Sequence, residues 1–112
     1  MNTILKNIQN SEVLNLKEQI QCLEGQVVSK TIVQNPYVSM TLFAFDKDEE
    51  ISMHESKGDA LIQVLEGTAE ITIDDTKYIL EDGQSIVMPA NHPHAVFGKE
   101  KFKMLLVVVF PA

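Results

Sequence analysis

Apolar and polar residues alternate in short runs along most of the chain. From residue 26 onward, runs rich in β-branched and aromatic residues are separated by Gly, Asp, Asn and Pro. These turn residues recur about every 8–12 residues along the chain, a spacing that is typical of an all-β barrel or sandwich. The pattern predicts nine strands, at about residues 26–33, 37–46, 50–56, 60–66, 68–73, 76–80, 84–88, 94–98 and 102–110.

The first 25 residues are less regular. Val13 to Leu16 predict a short strand, followed by a turn or two of helix with Ser11 or Asn15 as its N-cap. The sequence therefore predicts one N-terminal extension, residues 1–25, packed on the barrel or on a dimer partner. Residues 26–112 form the barrel itself.

Exposed strand edges in so small a barrel predict that two copies of the chain associate, because an unpaired edge can pair with another chain. The N-terminal segment and the run KMLLVVVF, residues 103–110, are the candidates for a sheet shared between subunits. The VVV within this run indicates a strand buried on both faces. A central strand of a sandwich would show the same pattern, and a homodimer is the expectation.

Charge and cysteine content narrow the functional classes. The net charge is −7 and all nine basic residues are Lys, so nucleic acid would be repelled and no Arg is available to bind phosphate.

The single cysteine, Cys22, cannot form a disulfide within the chain, and its apolar neighbours favour a packed thiol. The N-terminus does not resemble a signal peptide, and MLLVVVF is far shorter than the ~20 residues that span a bilayer. We expect a cytoplasmic protein without a nucleic-acid or membrane partner.

Two segments carry the candidate chemistry: MHESKGDALIQVLEG, residues 53–67, and GQSIVMPANHPHAVFG, residues 83–98. Strand alternation in the first segment places His54 and Ser56 on one face and Glu55 on the other. A tight turn at Gly58 then predicts that LIQVLEG returns antiparallel to the preceding strand.

These segments resemble the two motifs of the cupin superfamily, G-x5-H-x-H-x3,4-E-x6-G and G-x5-P-x-G-x2-H-x3-N. His54 and Gly67 match the first motif, and Gly83, Pro89 and His94 match the second without a gap. The resemblance extends over the chain from about residue 26. It implies a small single-domain cupin, which is a double-stranded β-helix (jelly-roll-like) barrel, commonly dimeric, with a pocket inside one mouth.

The first motif is degenerate at two of the positions that hold a metal in the family. Ser56 stands at the second histidine and Ala60 at the glutamate, so His54 and His94 are the two ligands that the resemblance carries over. The second motif departs at Asn91 and Gly98, which replace its second glycine and its asparagine.

A divalent metal at this site would need further ligands, since catalytic sites take about three from the protein. Gln63, His92 or a bound small molecule are the candidates. Gln63 differs in strand parity from Ala60 and would need a bulge to face inward, whereas His92 lies in a turn. Nitrogen ligands without thiolate favour Zn, Ni, Fe, Mn or Cu. The alternative interpretation is a pocket that holds no metal.

The pocket is predicted to be lined by Ser56 and Ala60, whose small side chains leave room, and by Met40, Met88 and Phe97. Two functions are consistent with these residues. One is a metal-dependent enzyme of the cupin kind acting on a small organic molecule, at a metal site that is weak or vestigial. The other is a metal-free module that binds or senses a small molecule. No catalytic residue can be assigned from the sequence.

Overall fold

Seven strands account for most of the molecule in a computed structural model, which describes residues 4–112. Their bounds are β1 (Val27–Gln34), β2 (Val38–Phe45), β3 (Glu50–His54), β4 (Asp59–Ile73), β5 (Thr76–Leu80), β6 (Ser85–Met88) and β7 (His94–Val109). One short 3-10 helix, Leu16–Glu18, precedes them. The predicted all-β fold is confirmed.

Two long strands replace four of the predicted ones. β4 covers the predicted strands 60–66 and 68–73, and β7 covers 94–98 and 102–110. The pairing of β4 with β7 shifts register between Val64 and Glu66 and again between Gly67 and Ala69. Such bulges bend a strand without ending it. The glycine at 67 therefore marks a bend, where the sequence pattern had indicated a turn.

β4 and β7 form the antiparallel centre of the barrel and pass through both of its halves. In one half the order is β1-β2-β7-β4-β6, and in the other it is β3-β7-β4-β5. Apolar side chains from both halves form the larger of two buried clusters, in the barrel interior. The rings of Phe45 and Phe102 stack within it, with centroids 4.5 Å apart.

The predicted hairpin between the strand ending near His54 and LIQVLEG is wrong. β3 pairs with the first part of β7, and His54 lies opposite His94 in that pairing. β4 pairs instead with β5, β6 and β7. Residues 55–58 thus carry the chain from one half of the barrel to the other.

The run KMLLVVVF lies inside the sheet, between β2 and β4, so the expectation that it forms an intersubunit edge is wrong. Val108 faces the core, whereas Val109 is 57% exposed on the opposite face. The pattern therefore reflects a central strand, which was the alternative interpretation. A homodimer stays a prediction.

The N-terminal segment packs against β1 and β2. Ile20 is buried with Ile32, Leu42 and Ala44, and the backbone N–H of Lys6 donates to the Ile32 carbonyl at 2.7 Å. The predicted strand at Val13 to Leu16 is wrong, because this stretch pairs with no strand among residues 4–112 and Val13 is fully exposed.

Asn15 is the N-cap residue of the short helix, but its side-chain amide donates to the Glu18 carboxylate at 3.2 Å and caps no backbone N–H. The first three residues of the predicted extension lie outside the described part of the chain. Within that part, no helix combines the length and the apolar character needed to cross a bilayer.

Candidate functional site

A cavity of about 310 Å³ lies at one end of the barrel. This volume is near the lower end of the range for small-molecule sites in proteins. Its wall is mainly apolar, and its polar members come from the end of β3, the residues after it and the start of β7. The apolar lining residues are Phe43, Ile51, Ala60, Ile62, Met88, Val96, Met104, Leu106 and Val108, and the polar ones are His54, Glu55, Ser56 and His94.

Two histidines meet at this cavity. His54 is the last residue of β3, His94 is the first of β7, and the pairing of the strands sets them opposite each other. Their Nε2 atoms are 3.1 Å apart and the rings are inclined at 72°. His94 is 2% exposed, whereas His54 is exposed at the mouth.

The second nitrogen of each ring faces a backbone carbonyl. The Nδ1 of His54 is 2.8 Å from the Ser52 oxygen, and the Nδ1 of His94 is 3.1 Å from the His92 oxygen. A carbonyl can only accept, so each Nδ1 carries the hydrogen and each neutral ring has its lone pair on Nε2. The two lone pairs face each other, and the contact becomes favourable when a proton lies between them or when a metal ion or a ligand donor binds to them from the cavity side.

Burial lowers the pKa of His94 below its usual value, and the neighbouring His54 ring lowers it further. The hydrogen bond to the His92 carbonyl and the charge of Glu55 act in the opposite direction. The net lowering keeps His94 neutral near pH 7, with its Nε2 lone pair available.

A break in β3 changes which side chains reach the cavity. The pairing of β3 with β7 shifts register between Ile51 and His54, and both residues line the cavity although they are three apart. The strand ends at His54, so alternation no longer fixes the next side chains. Glu55 and Ser56 both line the cavity, and the expectation that Glu55 lies on the opposite face is wrong.

Three of the five residues expected in the pocket lie there, and two lie elsewhere. Ser56, Ala60 and Met88 line the cavity, the last two directly opposite each other on β4 and β6. Met40 packs toward the N-terminal segment, because it shares a face of β2 with Leu42. Phe97 is an odd-numbered residue of β7, whereas the buried residues of that strand are the even-numbered ones, so its ring lies outside the cavity.

The two further candidate ligands do not approach the histidine pair. Gln63 is exposed on the outer face of β4, because the bulge that would turn it inward comes only after Val64. His92 is exposed, and its Nδ1 lies 3.0 Å from the Asp74 carboxylate. Only the backbone oxygen of His92 contributes to the site, because it accepts a hydrogen bond from the Nδ1 of His94. Within residues 4–112, no three His, Cys, Asp or Glu side chains cluster closely enough to hold a metal.

Sequence reasoning missed the groups that orient the rings. The carbonyls of Ser52 and His92 fix the two histidines, and no residue-type pattern could reveal backbone oxygens as partners. The position of Glu55 at the cavity was missed because the register shift in β3 depends on the pairing of that strand with β7.

The fold and the site together define a small double-stranded β-helix barrel with a histidine pair in one mouth. Residues 41–110 match the family model described as the cupin domain. The chain belongs to the cupin family, as the motif resemblance predicted.

Solved structures of similar chains agree with this assignment. A conserved protein of unknown function from Streptococcus pyogenes is 44% identical, with a TM-score of 0.97 over 99% of this chain and 97% of the other. A cupin superfamily protein from Desulfitobacterium hafniense is 37% identical, with a TM-score of 0.91 over 96% and 98% of the two chains. A cupin 2 conserved barrel domain protein from Leptotrichia buccalis is 43% identical, with a TM-score of 0.84 over 86% of this chain and 47% of its own. No curated protein matches the chain.

Proposed function

We propose that this cupin binds a small, mostly apolar organic molecule in the barrel cavity, with a hydroxyl group against the His54–His94 pair. The observation that carries this proposal is the convergence of two Nε2 atoms, 3.1 Å apart, at the mouth of an otherwise apolar cavity. Apolar walls with a few convergent polar groups are the usual composition of small-molecule sites.

The hydrogen-bonding pattern selects the polar group of the ligand. Both Nδ1 atoms donate to carbonyls, so both Nε2 atoms are acceptors when the rings are neutral. A ligand O–H can donate to one of them and relieve the unfavourable contact between the two lone pairs. An ether or an ester lacks that hydrogen, and we expect such molecules to bind more weakly.

The apolar wall selects the body of the ligand. Methionines 88 and 104 are adaptable and make favourable contacts with aromatic rings. Phe43, Ile62 and Val96 add a rigid surface. A single aromatic ring or a branched aliphatic chain suits both the composition and the volume of the cavity.

A metal-dependent enzyme acting on the same kind of molecule is the second candidate. His54 and His94 would hold the ion, since hydrogen-bonded Nδ1 atoms and converging Nε2 lone pairs are the arrangement of metal-binding histidines. Zn, Ni, Fe, Mn or Cu suits imidazole ligands, and such an ion would polarise an oxygen of the bound molecule. The described side chains supply two clustered ligands and not three. Binding without metal is therefore our first choice.

Ligand-observed NMR with a panel of small phenols and branched aliphatic alcohols, and with their methyl ethers, tests the binding function. The hydroxyl compounds should bind to the metal-free protein, and the ethers should bind more weakly. Ala60→Leu should abolish binding, because residue 60 is buried in the cavity wall and a larger side chain would fill the space.

Gln63→Leu is the matched control, since it adds an apolar side chain to the outer face of the same strand. It should leave binding unchanged, and thermal melting of both variants would show that the barrel is intact. Equal signals from the parent and from Ala60→Leu would contradict the proposal, as would a panel in which no hydroxyl compound binds. A cytoplasmic location and a sensor role stay predictions of the sequence.

A further inference from the structure

One carboxylate stands at the rim of the cavity without a cation beside it. Among the described residues that line the cavity, Glu55 is the only acid and none is a lysine. Lys57, two residues further along the chain, lines a separate depression on the surface together with Asp59. The charge at the cavity mouth is therefore negative and is not balanced by the protein.

The Glu55 carboxylate is available to a ligand. It is exposed, and in the part of the chain that the structure describes no hydrogen bond or ion pair engages it. The carboxylates of Asp46 and Asp59, by contrast, both accept from backbone N–H groups. The backbone beside Glu55 is held, because the Ser56 carbonyl accepts the Asn91 N–H at 2.8 Å. A free side chain thus rises from a fixed position on the rim.

The charge of Glu55 acts on the interior of the same site. It raises the pKa of His94, against the stronger effects of burial and of the His54 ring. The carboxylate nevertheless does not converge with the two rings on a single point. A ligand that meets both the histidine pair and the carboxylate therefore needs two polar groups with its apolar body between them.

A negative rim discriminates between ligands by their charge. It attracts an ammonium group and repels a carboxylate, and the net charge of −7 acts in the same direction over longer distances. The ammonium belongs at the rim and the hydroxyl at the histidines, because burying a charge costs far more than burying a hydroxyl. His94 is 2% exposed, whereas Glu55 remains in contact with water.

We propose that the ligand of this cavity is a hydroxylated amine, whose ammonium group pairs with the Glu55 carboxylate while its hydroxyl meets the His54–His94 pair. The proposal rests on the proposed binding function and narrows it to one class of molecule. A phenol with a short aminoalkyl chain on the opposite side of the ring has the required order of groups. The polar groups then lie at its two ends, and the ring lies against the apolar wall.

Three phenols of similar shape but different charge test the proposal. Tyramine carries an ammonium, 4-propylphenol has a neutral chain, and 4-hydroxyphenylacetate carries a carboxylate. Ligand-observed NMR at pH 7.5 in 0.1 M salt measures each dissociation constant for the metal-free parent and for variants of Glu55. The probes also differ in apolarity, so the quantity to compare is the change in each constant between the parent and a variant.

Glu55→Gln should weaken tyramine binding about threefold, within the range for an exposed ion pair. Glu55→Lys should weaken it further, to about tenfold, and should tighten the binding of 4-hydroxyphenylacetate about threefold, because the charge at the rim is reversed. The affinity for 4-propylphenol should stay unchanged in both variants. Circular dichroism would establish that each variant is folded.

Glu50→Lys is the matched control. It makes the same change of charge at the other end of β3, where residue 50 lines a different depression. The two positions are separated by roughly 15 Å of strand, which exceeds the Debye length of about 10 Å in 0.1 M salt. This variant should leave the affinities for all three phenols unchanged.

The proposal is overturned if both Glu55 variants bind tyramine as tightly as the parent does. It is also overturned if Glu50→Lys weakens tyramine binding as much as Glu55→Lys, because a general effect of charge would then explain the loss. In either case, binding of 4-propylphenol to the parent would leave the proposed function standing. If none of the three phenols binds to the parent, the ligand class and the binding function are both overturned.

Discussion

The Nε2 atom of His54 lies 3.1 Å from the Nε2 atom of His94, although the two residues are 40 positions apart in the chain. Pairing of the end of β3 with the start of β7 produces this contact. Each ring is turned by a bond from Nδ1 to a nearby carbonyl, two residues before it in both cases. The site is therefore held by backbone carbonyls of β3 and of the turn that precedes β7.

If the metal-dependent candidate holds, replacing either histidine should remove metal binding, and in any case the two changes should affect stability differently. His94→Ala empties a buried position and should lower the free energy of unfolding by about 1–3 kcal/mol. His54→Ala changes an exposed ring and should stay within about 0.5 kcal/mol of the parent. Urea unfolding measures the free energy of unfolding, and metal titration measures the number of ions bound per chain. Undiminished metal uptake by both variants would show that the pair is not a metal site.

The lowered pKa of His94 should make the protein less stable in mild acid. In the unfolded chain a histidine titrates near its ordinary value of about 6.5, whereas in the folded protein burial and His54 hold the pKa of His94 below that value. Below about pH 6.5 the unfolded state therefore binds more protons, and the free energy of unfolding falls as the pH falls. The loss continues until the pH passes the folded pKa.

Urea unfolding between pH 7.5 and 5, in the presence of a chelator, measures this slope. His94→Gln is the control, because it removes the titrating group and should flatten the dependence that the parent shows. A parent whose stability rises on acidification in this window would show the opposite sign and contradict the assigned direction.

Gly67 should tolerate no side chain. Its φ is +96°, and a Cβ at this position would overlap the Lys101 carbonyl oxygen and approach the Phe102 Cα to 2.7 Å. Gly67→Ala should cost about 3 kcal/mol or more, because backbone strain and overlap add. Gly83 also has a positive φ, +82°, but has nothing within 4 Å of the same position. Gly83→Ala should cost only about 1 kcal/mol.

Chemical unfolding of the two glycine variants side by side separates the effect of overlap from that of the dihedral angle. Equal losses would mean that the close approach of β4 and β7 at residue 67 adds nothing to the cost of the substitution. The bend in β4 would then be able to shift and make room for the added methyl group.

Alternation and turn residues in the sequence determined the all-β fold and the approximate strand positions, and the motif resemblance identified the two histidines. They did so because strand periodicity and glycine or proline punctuation are local properties of the chain. Tertiary structure alone decided that 60–66 and 68–73 form one bent strand, and that β3 pairs with β7. It also decided that Glu55 lies at the cavity while Met40 and Phe97 do not. A bulge reverses the face of every later side chain in its strand, and its position depends on the partner strand, which no local pattern specifies.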